Sequence, residues 1–158
     1  GIIGQRIPSY DPDDCNGCKK CAVEKACPVH AAKMTDGVME IDPNLCNNCG
    51  RCVGTCPFDC IEDGTYGYKI YIGGRWGKSV AQGRALSKVF TDKEEALSVI
   101  EKAILLYREQ GQTGERFAST IERLGFENVE AQLLSDDILA RKQEILDAQL
   151  HLTGGATC

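Results

Sequence analysis

The chain has 158 residues, ten cysteines and a formal net charge of −5. This length allows one ordinary domain, or a small cofactor-binding domain joined to a second region. No apolar run reaches the roughly 20 residues of a membrane-spanning helix, and no secretory signal pattern opens the chain. We therefore expect a cytoplasmic protein without a membrane span.

Most of the negative charge lies in the first 64 residues, which contain ten acidic and six basic side chains. An acidic surface repels nucleic acid and attracts a basic face on a protein partner. We therefore expect no nucleic-acid binding. Charge alone does not separate a docking face from acidic loops that merely keep the region soluble.

The cysteines are concentrated at the N-terminal side, since nine lie at or before Cys60 and the tenth is Cys158. Eight of them form two runs, Cys15-x2-Cys18-x2-Cys21-x5-Cys27-Pro28 and Cys46-x2-Cys49-x2-Cys52-x3-Cys56-Pro57. Three thiolates at successive x2 spacings followed by a Cys-Pro are the ligation pattern of iron–sulfur clusters. The two runs predict two [4Fe–4S] clusters.

Two other uses of cysteine fit the sequence less well. Disulfide scaffolds are small and cross-linked throughout, whereas residues 61–157 contain no cysteine. Structural zinc sites use four ligands in two pairs, not three evenly spaced thiolates and a Cys-Pro. Zinc in a wrongly metallated preparation stays open as an alternative.

The cysteine-rich region contains an internal repeat. Segments 11–15 and 42–46 both begin with Asp-Pro and end in cysteine, and segments 27–31 and 56–60 both begin with Cys-Pro. Each copy is predicted to contain a turn into the cysteine loop, a short helix beginning near the Cys-Pro, and a strand, Val38–Ile41 or Tyr68–Ile72. Three glycines either let backbone N–H groups approach the sulfides or serve as ordinary turn residues: Gly17, Gly50 and Gly54.

Over Pro8 to Ile72 this duplicated unit resembles the two-cluster bacterial-type ferredoxins, which have a pseudo-twofold α+β fold. In that family the fourth cysteine of each run ligates the other cluster. The resemblance implies that one cluster is held by Cys15, Cys18, Cys21 and Cys56, and the other by Cys46, Cys49, Cys52 and Cys27. The five-residue spacer before Cys27 is longer than the three residues of the simplest ferredoxins, which lengthens the loop beside one cluster.

Three further residues attract attention as ligands or reactive groups. Cys60 aligns with Ala31 in the repeat, so a buried structural thiol is favoured over a ninth ligand. Cys158 is expected to be an exposed thiol on the C-terminal tail, and His30 a surface residue next to Cys27.

The C-terminal half is predicted to contain one strand and about three helices, all packed through apolar stripes. The first helix begins at the capping box Thr91-Asp92-Lys93-Glu94, ends before Gly111 and carries Leu97, Ile100, Ile104 and Tyr107. The second spans Arg116 to Leu124, ends at Gly125 and turns Phe117, Ile121 and Leu124 inward. The third runs from about Asp136 to Leu150 with Ile138, Leu139, Ile145 and Leu146 as its stripe. The pair Gly73-Gly74 indicates a turn, with a phosphate-binding loop as the weaker alternative.

The fold class that follows is α+β, with a two-[4Fe–4S] ferredoxin-like domain in residues 1–66 and a strand with a mainly helical region in residues 67–158. No nucleophile–base pair, carboxylate dyad or nucleophile elbow is present in the sequence, so we predict no catalytic residues in this chain.

Beyond the cysteine runs, four segments carry a wider resemblance: YKIYIGGRWGK at 68–78, FTDKEE at 90–95, YRE at 107–109 and GERFA at 114–118. Together they resemble the C-terminal part of siroheme-dependent sulfite and nitrite reductases, closest to the anaerobic and dissimilatory branch with its inserted ferredoxin domain. The resemblance implies electron transfer to a siroheme centre and, in the intact enzyme, the six-electron reduction of sulfite to sulfide. It also implies two partners, a redox donor protein or subunit and the rest of the reductase.

That family holds a siroheme-coupled cluster with a Cys-x5-Cys and a later Cys-x3-Cys placed before the ferredoxin domain. Only fourteen residues precede Cys15, so we expect siroheme and its coupled [4Fe–4S] cluster to belong to upstream sequence, which makes this chain a fragment. Two alternatives stay open. One is a stand-alone ferredoxin-like electron carrier or a subunit of another oxidoreductase, and the other is a partner-binding module with purely structural clusters.

Overall fold

The computed structural model describes residues 1–149 and divides them into two compact units. Residues 3–68 form one unit, which we call the cysteine unit, while residues 1–2 pack with the segment from Lys69 onward, which we call the C-terminal unit. Together they contain five strands and six α-helices within the described residues, so the α+β prediction is confirmed.

The cysteine unit is built from short elements around its cysteine loops. Strands β1 (Ile2–Tyr10) and β4 (Ile61–Ile72) lie side by side, and β2 (Ala32–Thr35) pairs antiparallel with β3 (Val38–Ile41). The β2–β3 turn is Asp36-Gly37, with φ of 51° and 85°. An Asp-Gly pair with positive φ at both positions is the preferred two-residue hairpin connection.

The predicted strands are found, but the predicted helices after each Cys-Pro are wrong. Val38–Ile41 is β3, and the predicted Tyr68–Ile72 is the end of the longer strand β4. The helix α1 (Ala22–Ala26) precedes Cys27 instead of following it. The five-residue spacer of the first run is just long enough to form this turn of helix, whereas the second run has three residues there and forms turns.

The C-terminal unit contains the strand β5 (Arg84–Phe90), which lies next to β4, and five helices. The helices are α2 (Lys93–Gln110), α3 (Phe117–Leu124), α4 (Phe126–Leu134), α5 (Asp137–Ala140) and α6 (Lys142–Asp147). At the loop after β4, Gly73 has a φ of 75°, as a turn requires, and a bridge between Arg75 and Ala81 closes the loop. None of the helices in residues 1–149 combines the length and apolarity needed to cross a bilayer.

Helix α2 ends at Gly111 as predicted, but its buried face differs from the predicted one. Its N-cap is Asp92, whose side chain accepts a hydrogen bond from the backbone N–H of Glu95, so Thr91 is not the cap. Leu97 and Ile104 are 46% and 65% exposed. The buried residues of this helix are Ala96, Val99, Lys102, Leu105 and Leu106. Two apolar stripes with helical spacing share this helix, and periodicity does not distinguish between them.

The remaining helices follow the prediction in part. The α3 prediction is confirmed, with Ile121 buried and Phe117 and Leu124 packed against the core. Helix α4 was not predicted, because Gly125 alone separates it from α3. The predicted third helix is two short helices divided at Arg141, and Leu150 lies outside the described residues.

The two units differ in how much apolar core they have. The C-terminal unit buries a continuous cluster that includes Leu86, Phe90, Leu106, Val129 and Leu133. The core cluster of the cysteine unit is small and consists of Val23, Ala32, Met39, Cys60 and Ile61, with cysteines packed around them. Because this core is so small, we expect the stability of the cysteine unit to depend on the metal cofactor that its cysteines bind.

Neighbouring leucines on α4 test the importance of the C-terminal core. Leu133 is fully buried at 0% exposure and Leu134 is 39% exposed. We expect Leu133→Ala to lower the free energy of unfolding by about 2–5 kcal/mol, because it leaves a cavity. Leu134→Ala should cost less than about 0.5–1 kcal/mol, as exposed substitutions do. Urea unfolding followed by far-UV circular dichroism measures both, and equal losses would contradict the assigned core.

Candidate iron–sulfur centres

The two copies of the repeat are tied together by matching backbone hydrogen bonds. The N–H of Asp42 donates to the carbonyl of Ala31 at 2.9 Å, and the N–H of Asp11 donates to the carbonyl of Cys60 at 3.1 Å. In the sequence repeat Asp11 aligns with Asp42, and Ala31 aligns with Cys60. Each copy therefore holds the end of the other through the same contact, which is the pseudo-twofold arrangement expected of the fold.

The cysteines of the unit line two separate cavities. The first encloses about 410 Å³ of space, partly open to solvent, and is lined by Cys15, Cys18, Cys21 and Cys56 together with Cys60. The second, also partly open to solvent, contains about 320 Å³ of empty space and is lined by Cys46, Cys49, Cys52 and Cys27. In both cavities a Cys-Pro cysteine stands beside the three cysteines of the other run.

The cysteines that line these cavities are the donor type that an iron–sulfur cluster requires. The nine cysteines at or before Cys60 are free thiols. Within residues 1–149, no group of three or more His, Cys, Asp or Glu side chains is arranged to hold one metal ion. Four thiols around an apolar space, completed by Val23 and Met39 in the first cavity and Ile41 in the second, are the donor set that a cluster requires.

The thiols of the two Cys-Pro cysteines have lowered pKa values. Burial alone would raise the pKa of Cys27, but backbone N–H groups, including that of Ala31 at 3.2 Å from Sγ, lower it below its ordinary value. Burial and hydrogen bonds act in the same opposed way at Cys56, and its pKa is also lowered. Burial raises the pKa of Cys52. Because a metal binds the thiolate, lowered pKa values favour ligation at both Cys-Pro positions.

Cys60 is the buried thiol that the repeat predicts, since it is 2% exposed. Burial, followed by the hydrogen bond and charge of Cys56, raises the pKa of Cys60 to about 12. Its thiol keeps its proton and donates to Cys56 Sγ, at a sulfur–sulfur distance of 3.2 Å. His30 is exposed, as expected, and Cys158 lies outside the described residues.

One residue beside the first cavity escaped the sequence analysis. The backbone N–H of Met39 donates to Cys15 Sγ at 3.3 Å, and the Met39 carbonyl accepts the hydroxyl of Tyr10. A backbone donor has no residue signature, so no signal in the sequence marks this position.

Comparisons with known proteins support iron–sulfur cluster binding in this chain. The family model for the nitrite and sulphite reductase 4Fe-4S domain matches residues 17–139. The chain is 30% identical over 128 residues to a coenzyme F420-dependent sulfite reductase of Methanocaldococcus jannaschii, which covers 80% of this chain and 20% of that protein. It is 50% identical over 59 residues to one subunit of an ion-translocating oxidoreductase complex of Methanosarcina acetivorans, 37% of this chain and 22% of that protein.

A solved structure is similar as well. The crystal structure of dissimilatory sulfite reductase I superposes with a TM-score of 0.54 at 21% identity, over 84% of this chain and 37% of that chain. At this identity the likeness establishes the fold alone. The chain spans about a fifth of the length of the two curated relatives.

Two glycines test whether the loop of the first cavity is as tightly packed as it looks. Gly17 and Gly54 both have positive φ, 62° and 71°, but a Cβ on Gly17 would lie 2.7 Å from the carbonyl oxygen of Gly37, while a Cβ on Gly54 meets nothing within 4 Å. We expect Gly17→Ala to accelerate iron loss to a chelator several-fold more than Gly54→Ala, because both carry the same backbone strain and only the first displaces the β2–β3 turn. Iron retained per chain against time measures the difference, and equal rates would show that the contact is unimportant.

Proposed function

The chain belongs to the nitrite and sulphite reductase 4Fe-4S domain family, and from this premise we propose that it conducts electrons through two [4Fe–4S] clusters toward the siroheme centre of a sulfite or nitrite reductase. The observation that carries the proposal is the pair of cavities, each lined by the three cysteines of one run and the Cys-Pro cysteine of the other. Cys15, Cys18, Cys21 and Cys56 would hold the first cluster, and Cys46, Cys49, Cys52 and Cys27 would hold the second.

When bound, a [4Fe–4S] cluster takes up and releases one electron at a time. The residues of this chain bind the clusters and fix the distance between them. Because each copy of the repeat would supply three ligands to one cluster and one to the other, the two clusters would stay close together within one small unit. Apolar neighbours such as Val23 and Met39 keep water from one side of the first site, which adjusts the energy of reduction.

The surface of the cysteine unit suggests how a donor would bind. All ten acidic side chains among the first 64 residues are exposed, and Cys49 is an exposed cysteine of the second set. Negative charge around an exposed cluster edge would attract a basic face on a redox donor protein and speed association at low salt. The second cluster would be the entry point for electrons.

The six-electron reduction of sulfite to sulfide would take place on siroheme, with its coupled [4Fe–4S] cluster, in other parts of a reductase. The relative in Methanocaldococcus jannaschii is named a sulfite reductase, and the aligned region is a fifth of its length. The part played by this chain would be delivery of electrons to that centre.

A second candidate function is favoured by the other relative. The match to the ion-translocating oxidoreductase complex of Methanosarcina acetivorans has the higher identity, 50%, over a shorter region. A ferredoxin-like carrier, or a subunit of another oxidoreductase, would need the same two clusters but no siroheme partner. Reduction of a siroheme protein by the prereduced chain, measured by stopped-flow absorbance, separates the two functions.

Metal content and turnover test the proposed role directly. Two [4Fe–4S] clusters require about eight iron and eight sulfide per chain in anaerobically purified protein. The same protein should show two one-electron centres in a redox titration and should reduce no sulfite, because none of its own residues is assigned to bind or protonate the substrate. Iron near zero, or sulfite turnover without added siroheme, would be incompatible with the proposal.

Paired serine substitutions test the crossed ligand sets. Cys15→Ser with Cys56→Ser removes two ligands of the first set, so we expect about four iron per chain to remain in the second cluster. Cys15→Ser with Cys27→Ser removes one ligand from each set and should damage both clusters, leaving clearly less. Iron and sulfide analysis compares the pairs at an equal number of lost cysteines. If the order is reversed, each run ligates its own cluster.

A further inference from the structure

The repeat allows the two cavities to be compared position by position, and the first difference lies behind the Cys-Pro cysteines. In the second cavity Cys27 Sγ accepts the backbone N–H of Ala31. In the first cavity the aligned residue is Cys60, and its thiol donates to Cys56 Sγ at 3.2 Å. Ala31 and Cys60 are equally buried, each at 2% exposure. The first site thus has a side-chain donor that the second site lacks.

The second difference lies on the opposite side of the cavities. Met39 lines the first cavity and donates its backbone N–H to Cys15 Sγ at 3.3 Å. Counting from the aligned residues Asp11 and Asp42, the position equivalent to Met39 is Pro8, which lines the second cavity. Proline has no backbone N–H, so the corresponding hydrogen bond to Cys46 is impossible.

Both differences act on ligand sulfurs and in the same direction. Reduction of a cluster adds negative charge, part of which resides on the cysteine sulfurs. Hydrogen bonds to those sulfurs stabilise the more negative state and are among the determinants of cluster potential. A site with more donors is therefore easier to reduce than the same site without them.

We propose that Cys60 sets the reduction potential of the first cluster. Together with the Met39 backbone N–H, its thiol raises that potential above the value expected if the first site had alanine and proline at these two positions, as the second site does. This inference rests on the proposed two-cluster function. Cys60 acts through Cys56 and not as a ligand. Cys60 stands in the second copy where the first copy has Ala31, so the two clusters of the duplicated unit would have unequal surroundings.

The test is a redox titration of the Cys60→Ala variant. This substitution gives the second copy of the repeat the alanine that the first copy has at the aligned position, Ala31. One midpoint potential should shift to a more negative value and the other should stay unchanged. The shifted signal, followed by electron paramagnetic resonance, must be the one that disappears in the Cys15→Ser, Cys56→Ser variant. Loss of a cluster in Cys60→Ala, with iron falling by half, would instead make Cys60 a ligand and overturn the proposal.

Two matched variants sharpen the result. Cys60→Ser keeps a donor at nearly the same size, so it should hold the potential close to the wild-type value. Ala31→Cys adds the donor to the second site and should shift the other midpoint to a more positive value. Unchanged midpoints in Cys60→Ala with a full iron content would refute this inference alone, whereas an absence of iron in the wild-type chain would refute the proposed function itself.

Discussion

The cysteine unit depends on one constraint, that each copy of its repeat is completed by the other. The backbone N–H of Asp42 donates to the carbonyl of Ala31, and that of Asp11 donates to the carbonyl of Cys60. Each of these hydrogen bonds joins the start of one copy to the end of the other. The same exchange brings Cys27 beside the cysteines of the second run and Cys56 beside those of the first. The core cluster of this unit has only five buried residues, so we expect metal ligation to contribute to its folding.

The two units reach stability by different means, and this explains how function is divided between them. The C-terminal unit buries an extended apolar core along the end of β4, β5 and α2–α6, and ion pairs such as Arg75 with Glu122 join different elements of its surface. The cysteine unit instead commits its interior to thiols, and backbone N–H groups point at several of them. Electron transfer chemistry therefore resides in the unit that is least able to fold without it.

Sequence reasoning succeeded where the signal is local and failed where tertiary packing decides. The cysteine runs and the α+β class were recognisable because the ligand spacing and the Cys-Pro units each involve only a few adjacent residues. The strands β1, β2 and β5 were missed, since Gly4 and Pro8 interrupt any alternation in β1 and the others are brief. The stripe of Leu97 and Ile104 was assigned to the core because it has the right period, yet Val99 and Leu106 on another face of α2 are the buried ones. The backbone donor to Cys15 required coordinates, because a backbone N–H is present at almost every residue.

The helix in the spacer of the first run has a consequence for how such proteins are recognised. Ala22–Ala26 coils five residues into a little more than one helical turn, at about 1.5 Å of rise each, so the longer spacer spans no more distance than three extended residues at about 3.3 Å each. Cys27 still arrives at the edge of the second cavity. Separation along the chain is thus a poor measure of separation in space at this position. A pattern search that insists on three intervening residues would overlook half of this binding unit, while one that tolerates a turn of helix would retain it.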